Sequence, residues 1–153
     1  PPRYQTLSAD RIPVVALPQD AGKVRVIAGD YSGHIGPART FTPINLWDVT
    51  LHAGKSSELP LPEGHTTAVF VLKGNVIVDG DRAAGEGDLA VFSQQGTGLT
   101  LRATIDATLL MMCGEPIDEP VVGKGPFVMN THAEILQAFR DYQLGNMGTL
   151  SAS

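Results

Sequence analysis

The sequence predicts an all-β fold, a jelly-roll barrel with one C-terminal α-helix, and three observations carry that expectation. Short apolar runs rich in Val, Ile and Phe recur along the chain, most densely at residues 68–72, 75–78 and 89–92; this is the composition of strands packed on a half-buried pleated surface. Seventeen glycines and eleven prolines are dispersed among such runs, so turns separate many short elements. A helical period is seen only near the C-terminus, and nothing helical separates the strands as an α/β fold would require.

Residues 1–21 carry Pro1, Pro2, Pro13 and Pro18 and read as an entry or linker segment, with an edge strand at 12–17 because bordering prolines cannot donate to a ladder. A strand at 24–28 ends at Gly29-Asp30, and the Gly- and Pro-rich stretch 31–43 reads as an irregular crossing of the sheet. Residues 46–51 alternate, placing Trp47, Val49 and Leu51 on one face and Leu46, Asp48 and Thr50 on the other. The polar segment 55–65 reads as a loop. Residues 66–92 then read as a β-meander reversing at Gly74, Gly80-Asp81 and Gly87-Asp88. Leu99 and Leu101 alternate with Thr100 and Arg102 in a further strand, and the continuous apolar run 107–113 reads as a strand buried on both faces. The total is about seven or eight strands, a number suited to a jelly roll.

Regular β-structure is expected to stop at Gly114, leaving a barrel at 22–114 and an extension at 115–153. A helix at about 131–144 closes it. Thr131 and Glu134 have capping-box spacing, and Gly145 sits where a C′ residue belongs. Ile135, Ala138, Phe139 and Tyr142 form one apolar stripe at i, i+3, i+4 and i+7. That stripe either packs on this chain's own sheet or docks a second protein surface, which makes Ile135, Phe139 and Tyr142 interface candidates.

The net charge of −5, with eleven Lys and Arg spread along the chain, excludes the basic face that nucleic acid or an anionic membrane requires. The longest apolar run is far short of a bilayer span. The N-terminal residues lack the apolar core of a signal peptide, and the lone Cys113 has no partner for an internal disulfide. A reduced, cytoplasmic setting is the expectation. At 153 residues one domain can bury roughly two thirds of its unfolded surface.

The tail GEPIDEPVVGKGPFVMNTHAEILQAFRDYQLGNMG (114–148) and the segment VRVIAGDYSGHIGPARTFTPINLWDVTL (24–51) resemble the C-terminal part of the pirin family of bicupins. The likeness covers nearly the whole chain. It implies a cupin-type double-stranded β-helix, the second of two such domains, lying beside a metal-bearing N-terminal cupin. In that family the N-terminal domain holds an iron-type divalent metal on three His and one Glu; several members are associated with quercetin 2,3-dioxygenase activity, and eukaryotic members act as transcriptional coregulators. For this chain the resemblance implies a structural or binding module, with a second cupin domain or a homo-oligomer engaged through the helix and a small aromatic ligand among its partners. The alternatives are a quercetinase-like enzyme with a rebuilt metal site and a protein-binding coregulator.

The residues themselves argue for the module. A cupin metal site needs imidazoles and a carboxylate converging from neighbouring strands. Aligned on Gly54 and Gly74, the ligand positions hold Pro60, Pro62 and Thr67, and neither proline nor threonine can substitute. No cofactor is expected in this chain. The four histidines are His34, His52, His65 and His132. His52 and His65, expected near one barrel mouth with Glu58 or Glu63, form the one conceivable ligand set, against the plainer reading of loop histidines. Gly85-Glu86-Gly87 opens a GxGxxA match between strands, with no helix to follow, and reads as a turn. Cys113, in an apolar run without a nearby cation, reads as a protonated, inert thiol. Asp118 and Glu119 flank Pro120 as a turn.

Overall fold

The computed structural model describes residues 5–148. The strands run β1 (Val14–Ala16), β2 (Gly22–Ala28), β3 (Asp30–Tyr31), β4 (His34–Ile35), β5 (Ile44–Leu51), β6 (Ser56–Pro60), β7 (Thr66–Lys73), β8 (Asn75–Val78), β9 (Arg82–Gly85), β10 (Leu89–Val91), β11 (Gly98–Ala103), β12 (Ala107–Gly114), β13 (Val122–Lys124) and β14 (Phe127–Met129), followed by helix α1 (His132–Gln143). Two units are distinct, Pro1–Pro116 and Ile117–Ser153.

The first unit is built from a six-stranded sheet in the order β1-β2-β5-β12-β7-β10 and a four-stranded sheet in the order β6-β11-β8-β9. Side chains alternate as the pleat demands. Trp47, Val49 and Leu51 of β5 meet Met111, Leu109 and Ala107 of β12 in register, and all six are buried. From the other sheet come Leu59, Leu99, Leu101, Val76 and Val78, also buried. Trp47 is 1% exposed. Its indole Nε1 has no hydrogen-bond acceptor among the described residues, and the Tyr31 ring packs edge-to-face on it, with centroids 5.0 Å apart. Side chains therefore fill the barrel interior.

Several expectations are corrected. The meander is a crossover: β7 pairs with β12 and β10, whereas β8 pairs with β11 and β9. Gly74 carries the chain between sheets at φ +84°, where an added Cβ would run into the Asp106 carbonyl oxygen and lie 2.9 Å from Ala107 Cα. The segment 55–65 contains β6, whose Ser57 and Leu59 point inward. The segment 31–43 contains all of the short β3–β4 hairpin but Asp30, turned at Ser32-Gly33. Of the expected linker at 1–21, residues 1–4 lie outside the described residues, and the rest supplies more than a linker, because β1 pairs with β2 and Leu17 and Ala21 join the core. β12 is buried alternately: Ala107, Leu109, Met111 and Cys113 face the interior, whereas Thr108, Leu110 and Met112 are half-buried.

In the second unit, regular β-structure resumes after Gly114 as the β13–β14 hairpin, turning at Gly125. The capping box forms: Thr131 Oγ1 accepts from the Glu134 N–H at 3.2 Å, and Glu134 Oε2 accepts from the Thr131 N–H at 2.8 Å. Gly145 takes φ +74° just past the helix. Ile135 and Ala138 are buried. Phe139 packs edge-to-face on Phe127 of β14 at 5.0 Å, with Tyr142 at 6.4 Å from the same ring.

Candidate functional site

The strand registers decide which of the predicted site residues meet. Leu51 of β5 pairs with Ala107, at the start of β12, while Gly114 at its far end pairs with Ile44 and with Thr66 of β7. His52 follows Leu51 and His65 precedes Thr66, so the two histidines stand at opposite ends of β12, a strand some 20 Å or more long at about 3.3 Å per residue. The expectation that they share one mouth is overturned. His52 is exposed beside Lys73 and Asp106 in a shallow cleft of about 230 Å³. Glu58 and Glu63 are exposed as well.

At the other end the fold gathers Pro60, Pro62, His65 and Thr67. Pro60, Pro62 and His65 border a groove of about 460 Å³ with Asp30 and Asn45; Thr67, Pro62 and His65 also border a smaller hollow of about 70 Å³ with Phe92. Thr67 and Cys113 are cross-strand partners, both buried and both inward-facing. Cys113 Sγ lies 3.6 Å from His65 Nδ1. The sequence reading of Cys113 as an inert thiol in an apolar run named no such neighbour; the two residues are 48 positions apart, and the β7–β12 register brings them together. Burial pushes the thiol up from its ordinary range, opposed by a smaller pull from its hydrogen bond with Thr67. The pair is thus a protonated thiol beside a half-buried imidazole.

The donor chemistry of this mouth does not fit a cupin metal. Proline offers no side-chain donor, and Thr67 is directed to the thiol. Among the described residues no group of three or more His, Cys, Asp or Glu side chains is placed to hold an ion. The remaining candidates have local structural roles. His34 Nδ1 lies 3.2 Å from the Ser32 carbonyl oxygen, and His132 is exposed in the first turn of α1. The Gly85-Glu86-Gly87 segment is a turn in which Asp88 Oδ2 accepts from the Gly85 N–H at 2.8 Å. Glu119 accepts from Asn130 Nδ2 at 2.9 Å, while Asp118 takes φ +52°. Of the interface candidates, Ile135 is buried, Phe139 is half-buried against Phe127, and Tyr142 is 68% exposed.

Two packed antiparallel sheets enclosing an aliphatic interior, with a groove at one end, define a cupin. The chain belongs to the pirin family: residues 46–148 match the pirin C-terminal cupin domain. A Pseudomonas aeruginosa protein, named provisionally as a quercetin 2,3-dioxygenase, is 50% identical over 95% of this chain and 50% of its own length. The crystal structure of a quercetin 2,3-dioxygenase from Acinetobacter baumannii superposes with a TM-score of 0.92 at 42% identity, over 97% of this chain and 52% of that one. A bacterial pirin from Escherichia coli in complex with nickel(II) shares the fold at 16% identity and a TM-score of 0.52, over 61% of this chain and 40% of that one. The chain spans about half the length of the curated relatives it matches. No helix among the described residues is long and apolar enough to cross a membrane.

Proposed function

We propose that this chain is the accessory half of a two-cupin assembly, a metal-free cupin that stabilises a metal-bearing cupin and shapes the approach to its site. The observation that carries this reading is the barrel itself. Its interior is occupied by Trp47, Leu51, Leu59, Leu101, Leu109 and Met111, and its mouth presents Pro60, Pro62 and Thr67 where ligands belong. The match of this chain to about half of each relative supports a companion domain of similar size. The nickel(II) held by the Escherichia coli pirin supports a divalent metal in that companion. Quercetin 2,3-dioxygenase activity, on this reading, is a property of the assembled pair, working in the cytoplasm.

Native mass spectrometry on protein purified without added metal or chelator tests the metal-free state. The expected result is the mass of the bare polypeptide. One stoichiometric transition metal per chain would overturn the reading and make His65 and Cys113 the residues to substitute next.

A further inference from the structure

We propose that the free edge of β10 is a strand-addition site for a basic, extended peptide segment of another protein. The proposal stands on the sheet registers and is independent of the two-cupin reading above.

The hydrogen-bond phase of β10 leaves part of its backbone without a neighbour. The Phe92 N–H donates to the Thr67 carbonyl oxygen at 3.0 Å, and the Val71 N–H to the Asp88 carbonyl oxygen at 3.0 Å. Ala90, halfway between, is opposite Val69. Residues 88, 90 and 92 therefore bond to β7, and Leu89 and Val91 turn their N–H and C=O groups the other way, as alternation in an antiparallel pair requires. No strand lies on that side. A free edge is a template for one more strand. The two sheets of the barrel have four edges, and the other three are obstructed. β1 is bordered by Pro13 and Pro18, β6 ends in Pro60, and β9 opens with the charged Arg82. β10, Leu-Ala-Val, contains neither proline nor charge.

The space beside this edge says what fits there. β9 and β10 meet at a turn in which Asp88 Oδ2 accepts from the Gly85 N–H at 2.8 Å, yet they run into different sheets. A cleft of about 740 Å³ lies between them. Ala83, Ala84 and Ala90 line it, and such small side chains leave room for an apolar side chain of an incoming strand. Asp88 stands near the turn, and Asp79 and Asp81 lie toward the far end of β9, with Arg82 as the cation among the lining residues. None of the three carboxylates is in an ion pair among the described residues. Three carboxylates against one guanidinium select a basic segment; they also repel a second copy of this chain, which carries a net charge of −5 and would bring the same carboxylates.

The test titrates this chain into dye-labelled acetyl-Lys-Val-Lys-Val-Lys-Val-amide and follows fluorescence anisotropy. The peptide is expected to bind about tenfold more tightly than its counterpart with Glu for Lys, and to lose affinity as salt is added. A strand offers every second N–H to one neighbour, so two further peptides are N-methylated, one at the lysines and one at the valines. One of them is expected to bind like the parent and the other about tenfold more weakly, the loss of two or so hydrogen bonds. Val91→Pro removes an outward N–H and no bond to β7, and is expected to weaken the parent peptide several-fold. Trp47 fluorescence checks that this variant keeps its barrel; if it does not, the methylated pair carries the same test on the unaltered chain. Equal affinity for the basic and acidic peptides, equal behaviour of the two methylated peptides, or no binding at millimolar peptide overturns the proposal. A dimer of this chain dissociated by Val91→Pro also overturns it, and gives the edge to a second copy.

Discussion

Phe139→Ala asks whether the helix stripe is internal packing or a docking face. The side chain meets Phe127 edge-to-face at 5.0 Å and 81°, and an ideal Cβ on Gly125 would lie 3.5 Å from its Cζ. An aromatic pair of this geometry contributes about 0.5–1.5 kcal/mol beyond area burial. Full truncation of a buried Phe costs about 3–5 kcal/mol; for a half-buried ring, roughly 2 kcal/mol is expected. A unit of roughly 37 residues unfolds with an entropy near 0.08 kcal/mol/K, so that loss lowers its midpoint by about 25 °C.

Two probes separate the units. Trp47 is the sole tryptophan and lies in the barrel core, so its fluorescence reports the first unit. Helix α1, the one α-helix among the described residues, dominates ellipticity at 222 nm and reports the second. Phe139→Ala is expected to lower the helix transition and leave the fluorescence transition in place. If the two fall together, the helix melts with the barrel and does not unfold as a separate unit. If neither moves, Phe139 has no packing role and the docking stripe is restored.

Two further outcomes follow from the barrel. Gly74→Ala should cost about 2–5 kcal/mol, from the left-handed φ together with the collision at Asp106, and urea unfolding followed by Trp47 fluorescence measures it; a midpoint unchanged from wild type refutes the crossover geometry. Burial raises both Cys113 and Tyr31, so the unfolded chain ionises first. Their stabilisation is complete below the ordinary thiol range and is lost as pH rises through the folded-state values, which places the fall in urea midpoint on the alkaline side. At neutral pH, iodoacetamide should label Cys113 on the order of tenfold more slowly in the folded chain than in urea; equal rates would show the thiol open to solvent.

Local signals in the sequence translated directly into structure. The capping box of Thr131 and Glu134 and the alternation of Trp47, Val49 and Leu51 depend on neighbours a few residues away, so both are legible. The cupin architecture and the pirin family were legible from the resemblance of long segments. What failed was long-range. Gly74 serves a hairpin and a crossover equally well, because positive φ is needed for either; only the partners of β7 and β8 decide. β6 was missed because Ser56–Pro60 offers a single large apolar side chain and ends in proline. The β13–β14 hairpin was missed because the same stretch is dense in Gly and Pro. His65 with Cys113 required a register that no short window contains.

The filled interior and the half-covered outer face constrain function together. In a cupin that runs chemistry, the interior must stay open enough for an ion and a substrate, so polar ligands replace aliphatic layers and stability suffers. Here the inward residues of β5, β12 and β7 include Trp47, Val49, Leu51, Ala107, Leu109, Met111, Val69 and Val71, all buried, and the buried polar groups among the described residues of the barrel are few: Ser57 of β6, and Thr67 beside Cys113 at the mouth. A barrel filled in this way gains rigidity and gives up capacity. Exposed apolar side chains remain on the outside, among them Phe41, Ile35, Val91, Val14, Leu89 and Leu72, where they add nothing to the packing of the barrel interior. Substitution of these exposed side chains by polar ones should therefore leave the stability of the barrel within about 0.5 kcal/mol of the wild type.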